Sequence, residues 1–191
     1  WLRAAQHDRK FYCVPQELVR YRVHGENMSL NVESMHESQI RVLKKFFANQ
    51  DLPGRISQLE ARAYERIYLT TTQWLLRNGD FEAAKQAFLR CVQIWSEMLC
   101  QEETYYSIIC AQQPAGYRDT QYFKDLDWAT RTLEQLLDAV FHEPGLRAQV
   151  AGLKARAEAT KSLALAHHYY RSGQNRQARR LVARAIKEQP A

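Results

Sequence analysis

Leu76-Arg77-Asn78-Gly79-Asp80-Phe81-Glu82-Ala83-Ala84-Lys85 has a counterpart 94 residues on, in Tyr170-Arg171-Ser172-Gly173-Gln174-Asn175-Arg176-Gln177-Ala178-Arg179. In each stretch a glycine closes one helical pattern. An alanine five residues later stands where the next helix must approach its partner closely. The pair predicts antiparallel helical hairpins. The segment after the first glycine is the most regular in the chain, with Phe81, Ala84, Phe88, Cys91, Trp95 and Leu99 at spacings of three and four.

Outward from these hairpins the same period continues. Met35, Gln39, Val42 and Phe46 trace one stripe; after a break at Asp51-Leu52-Pro53-Gly54, the residues Ile56, Leu59, Ala63, Ile67 and Trp74 trace another. Glu102 to Gln113 reads as a shorter helix stopped by Pro114. Tyr122 to Val140 reads as a further one, halted by Pro144-Gly145. An Ala-rich helix then runs to Ser172, and Arg176 to Lys187 closes the chain. Seven Gly and five Pro in 191 residues leave few breakers, about half of average usage, so an all-β architecture is disfavoured and about seven helices are expected.

Gly79, Ala84, Phe88 and Cys91 stand at the glycine, alanine, aromatic and small-residue positions of the tetratricopeptide helix-turn-helix, which this segment resembles. Gly173, Ala178, Val182, Ala185 and Pro190 match again. The first-helix Trp and Gly of that repeat are absent, and 94 is not a multiple of its ~34-residue period. Degenerate hairpins are therefore expected over residues 32–191, without a regular solenoid.

The first thirty residues are different in kind. Phe11-Tyr12-Cys13-Val14 and Leu18-Val19-Arg20-Tyr21-Arg22-Val23 are short aromatic and β-branched runs separated by Pro15, and both read as strands. Val19, Tyr21 and Val23 alternate with Arg20 and Arg22, so one face can be buried while the other presents guanidinium groups. Two such strands do not make a stable sheet alone. His24-Gly25-Glu26-Asn27-Met28-Ser29 then reads as a loop.

Trp1-Leu2-Arg3-Ala4-Ala5, Val14-Pro15-Gln16-Glu17-Leu18-Val19 and Tyr21-Arg22-Val23-His24-Gly25-Glu26-Asn27-Met28-Ser29 follow one another in an order and spacing that resemble the end of the catalytic domain of family 2 glycosyltransferases. The resemblance covers about residues 1–31 and makes them a β-containing C-terminal remnant of a nucleotide-sugar transferase domain. It implies an Asp-x-Asp motif holding Mg²⁺ or Mn²⁺ against the donor pyrophosphate in the full-length enzyme, and an acidic base for the acceptor hydroxyl. By the same resemblance Arg22, His24, Asn27 and Ser29 lie at the edge of the donor cleft, with Arg22 a bidentate phosphate donor and His24 a ligand for phosphate or metal. Bracing of a strand end is the alternative role for Arg22 and His24. Trp1 is not an initiator Met and opens in mid-pattern, so the expectation is a C-terminal piece of a longer protein. Without the donor-binding half, metal motif and base, the piece is expected to be inactive alone and to hold no cofactor.

Other constellations are weak. Asp125-Leu126-Asp127 spells Asp-x-Asp but follows the His24 segment and falls on a predicted helix, where residues two apart diverge. His142-Glu143 and His167-His168 lack a spaced third ligand. Cys13, Cys91, Cys100 and Cys110 show neither a zinc spacing nor a disulfide framework, so reduced thiols and a cytoplasmic location are expected. No apolar run approaches the ~20 residues of a membrane span.

The net charge of +6 is uneven: residues 147–188 carry +8 and the remainder −2. Arg176, Arg180, Arg184 and Lys187 line one side of the last helix, opposite Ala178, Leu181, Val182 and Ala185. They are candidates for anion binding, whether at a phosphate-bearing acceptor or, peripherally, at the inner membrane face. The solvated face of a terminal hairpin is the plainer reading.

The leading expectation is the C-terminal part of a glycosyltransferase acting on a nucleotide-sugar and a glycan or glycolipid acceptor, its helical part serving acceptor, protein partner or self-association. The alternative is a non-catalytic tetratricopeptide-like protein-interaction module. RNA binding by the basic end is the least favoured reading, and nucleic acid is not an expected partner.

Overall fold

The computed structural model describes residues 2–7, 9–20, 31–49, 51–113 and 125–188. Packing divides the chain into two units, Trp1–Ile67 and Tyr68–Ala191.

In the first unit, α1 (Leu2–Gln6) buries no residue. The expected strand at Phe11–Val14 does not form, and residues 18–20 of the second are likewise irregular; Tyr21–Val23 lie outside the described residues. No strand occurs among the described residues, which corrects the expected β-containing remnant. Tyr12 is 84% and Val19 82% exposed, so these side chains face no core that would hold a strand in place.

α2 (Val32–Phe47) starts at Asn31, whose side chain accepts a hydrogen bond from the Ser34 backbone N–H at 2.9 Å. Its buried stripe passes through Leu43 and leaves the expected Val42 outside, 54% exposed. Stepping four residues from Gln39 reaches Leu43 and stepping three reaches Val42; the burial of Leu43 decides between them. Phe47 meets Tyr64 at a ring separation of 6.3 Å. The second expected stripe is interrupted too: α3 (Gly54–Ser57) and α4 (Glu60–Arg77) are separate helices, and Leu59 lies exposed between them.

The second unit holds the continuous core. α4 and α5 (Phe81–Ile94) are joined by a turn with Gly79 at φ 81°. Gly79 N–H bonds to Leu76 O and Asp80 N–H to Leu75 O, the paired bonds of a Schellman cap. Asp80 also caps α5 through Ala83 N–H. α9 (Lys154–Arg171) and α10 (Asn175–Glu188) repeat this, with Gly173 at φ 80° bonding to Tyr170 O and Gln174 N–H to Tyr169 O. The correspondence is complete at the level of elements: α4 and α9 each have 18 residues, α5 and α10 each have 14, and both pairs are offset by 94.

Between the hairpins run α6 (Glu102–Ile109), α7 (Leu126–His142) and the one-turn α8 (Arg147–Val150). α9 is the hub, packed by α6, α7 and α10. Small residues allow this, because Ala157 and Ala164 are buried on one side of the helix and Ala166 on the opposite side. α4 is tied to the α6 segment by Gln73, which donates to Ser107 O, and by Arg77, which donates to Ala111 O at 3.0 Å.

The expected Phe81–Leu99 helix breaks at Trp95, which is extended, and resumes as a 3₁₀ turn over Ser96–Cys100. Tertiary contacts hold the break: Thr104 Oγ1 donates to Met98 O and the Tyr105 hydroxyl to Leu99 O, while Met98 and Leu99 are fully buried. Among the described residues, those helices that reach eight residues are α2, α4, α5, α6, α7, α9 and α10, the expected seven.

Candidate functional site

Arg22, His24, Asn27 and Ser29, the residues placed at a donor cleft by resemblance, lie outside the described residues, as does Pro190. The basic quartet of the last helix is described, and it divides. Arg176, Arg180 and Lys187 are exposed and engage in no ion pair among the described residues. Arg184 is exposed too, but it is paired. Its Nε donates to Glu188 at 2.7 Å and its Nη2 lies 3.4 Å from Glu158, whose carboxylate also receives Lys161 Nζ at 2.6 Å. The Glu188 hydrogen bond, above all, raises the pKa of Arg184. Lys161 is only 3% exposed, so Glu158 is the counter-ion that lets this ammonium stay inside. Arg184 thus fastens α10 to α9 and leaves the anion-binding set.

The expected reading of Asp125-Leu126-Asp127 as a helix turn holds, and each acid has a task in it. Asp125 caps α7 by accepting Trp128 N–H at 2.7 Å, and Asp127 accepts the Tyr169 hydroxyl at 3.1 Å. His142 pairs with Asp138 one turn away at 3.0 Å. No group of three or more metal-ligating side chains occurs among the described residues. None of the four cysteines is in a disulfide; Cys91 and Cys110 are buried, and the Cys100 thiol is pushed up in pKa chiefly by burial. His168 is buried against the Tyr106 ring at 4.9 Å, and its pKa is lowered to about 4, first by burial and then by His167 and Arg171. No helix of the described residues is long and apolar enough to cross a membrane.

A groove of about 740 Å³ runs along the α9–α10 hairpin. Leu163 and Tyr170 form one wall, Val182 and Ile186 the other, and Ala166 and Ala178 the floor. The floor is buried, yet Tyr170 is 68% and Ile186 63% exposed. Four large apolar side chains therefore converge on an opening with nothing over it among the described residues, an arrangement suited to taking an apolar ridge from another molecule. Arg179 lies along the α10 side and Glu102 at the start of α6.

Sequence reasoning placed Val182 on the buried side of α10 and did not single out Leu163 or Ile186. Its signal was available in the repeat: Val182 stands at the position of Phe88, a core aromatic, but only Phe88 is covered. A second cleft, of about 210 Å³, includes the Arg184 network and sets Glu134, Asp138 and Glu158 against Lys154, Lys161 and Arg184, so it presents no net charge to a ligand.

No family model matches this chain, and neither a curated protein nor a solved structure does.

Proposed function

We propose that residues 32–191 serve as a helical docking module at the C-terminal end of a family 2 glycosyltransferase, and that the module itself performs no chemistry. The observation that carries the docking role is the open apolar groove between α9 and α10. The transferase context rests on the run from Trp1-Leu2-Arg3 to Asn27-Met28-Ser29. In this reading the whole enzyme transfers a sugar from a nucleotide-sugar, with Mg²⁺ or Mn²⁺ at the pyrophosphate, while the helices hold an acceptor-bearing or partner protein nearby and raise its effective concentration.

Two measurements test this. The 191-residue chain, supplied with a panel of nucleotide-sugars and either metal, is expected to transfer no sugar; transfer by the chain alone overturns the division of labour. A photo-crosslinker at position 186, in the groove, is expected to form adducts with another polypeptide in cells, whereas one at position 90 is not. Equal yields at the two positions overturn the docking role.

A further inference from the structure

We infer that the α9–α10 groove is closed by the same groove of a second copy of this chain, the two copies related by a two-fold axis that runs along it. The inference names the occupant of the docking site proposed above and rests on that reading. At the offset of 94 the four wall side chains correspond to core residues: Leu163 to Leu69, Tyr170 to Leu76, Val182 to Phe88 and Ile186 to Val92. The first hairpin buries all four of its members, from 0% exposure at Val92 to 5% at Leu76, while the second leaves them 39% to 68% exposed. Around the first hairpin the neighbours are helical: α5 packs on α7, and α4 hydrogen-bonds to the carbonyls of Ser107 and Ala111 in and just after α6. A pair of helices laid over the second hairpin would supply cover of the same kind.

Charge identifies that pair of helices as a second α9 and α10. Arg179 lines the groove from α10, and Glu102 lines it from the start of α6, the helix packed on α9, so the two stand on opposite sides. Both are exposed, and neither side chain makes an ion pair or hydrogen bond among the described residues. In the first hairpin Lys85, the counterpart of Arg179, pairs with Glu82, but the counterpart of Glu82 is Arg176, so Arg179 has no such neighbour. A two-fold axis along the groove exchanges its sides. Arg179 of each copy then meets Glu102 of the other, and the Val182 and Ile186 wall of each meets the Leu163 and Tyr170 wall of the other. One cation and one acid on opposite sides make the surface complementary to itself, whereas an anionic bilayer would meet Glu102 with like charge. Arg176, Arg180 and Lys187 do not oppose this pairing. They lie on the side of α10 turned away from the buried Ala178 and Ala185, and the two-fold sends the two copies of that row to opposite edges of the assembly.

Sedimentation velocity of the full 191-residue chain across micromolar concentrations tests this, and a reversible dimer is expected. Ile186→Asp and Leu163→Asp should each weaken it at least about tenfold, and Arg90→Glu not at all. Ile186 and Leu163 already meet solvent, and circular dichroism verifies that the variants fold. Glu102→Arg and Arg179→Glu should each weaken the homodimer about tenfold, because the symmetry repeats every change twice. Mixed together, these two variants should form a heterodimer about as tight as the native pair, since opposite charges then meet at both contacts. A chain that stays monomeric, or a dimer indifferent to Ile186→Asp, overturns the inference. If a crosslinker at position 186 then still captures a different polypeptide, the docking role stands without it; if it captures none, both fall. An Ile186-dependent dimer whose charge variants regain nothing on mixing overturns the two-fold pairing of Arg179 with Glu102. Phosphatidylglycerol vesicles bound through Ile186 by a monomeric chain overturn the second copy in favour of lipid.

Discussion

Single residues carry the turns and the buried charge. Gly79 and Gly173 adopt positive φ, yet a Cβ added at either would meet no atom within 4 Å. The cost of Gly79→Ala or Gly173→Ala is therefore conformational alone, about 1 kcal/mol each, measurable as a shift in urea midpoint with unchanged slope. Glu158 is more demanding. Glu158→Gln leaves Lys161 buried without its counter-ion and removes one of the two carboxylates that pair with Arg184, with an expected loss of ~3 kcal/mol, whereas Glu158→Leu combined with Lys161→Met should restore most of it. His168 makes stability depend on acid. Its pKa in the folded chain, about 4, lies below the ordinary 6.5, so between those values the unfolded chain binds the proton more readily. Stability is full above about pH 6.5 and declines by up to ~3 kcal/mol as pH falls toward 4. Urea midpoints across that range check this, and His168→Leu should flatten the decline.

At the scale of elements, α9 and α10 are held very differently although they form one hairpin. α9 is packed by three helices and buries residues on several sides, while α10 buries only Ala178 and Ala185, half-buries Leu181 and Glu188 and exposes the rest. Amide hydrogen exchange is expected to be faster in α10 than in α9, and occupation of the groove should slow α10 selectively. Equal protection in the free chain would contradict this account. The helix boundaries of the hairpins were legible in the sequence, because Gly79, Gly173, Asp80 and Pro144-Gly145 act through local backbone chemistry. The break at Trp95 was not. No breaker stands there, and the 3₁₀ turn is held by Thr104 and Tyr105, which reach back from another helix. The strand at Phe11–Val14 failed for the converse reason, since β propensity alone does not hold a strand whose side chains, like those of Tyr12 and Val14, stay exposed.

Across the whole molecule, charge and repeat act together. The basic excess of residues 147–188 is spread over α9 and α10, and part of it is consumed internally: Arg156 pairs with Glu97 at 3.1 Å, and Arg184 and Lys161 share Glu158. The sequence by itself determined the helical class, the two glycine-closed hairpins and their offset of 94, because periodicity and capping are local. Which apolar stripe found a cover, which arginine is paired, and where α5 ends were decided only by the tertiary structure. Burial depends on residues distant in the chain, and Phe88 and Val182, alike in sequence position, differ in whether another helix packs over them.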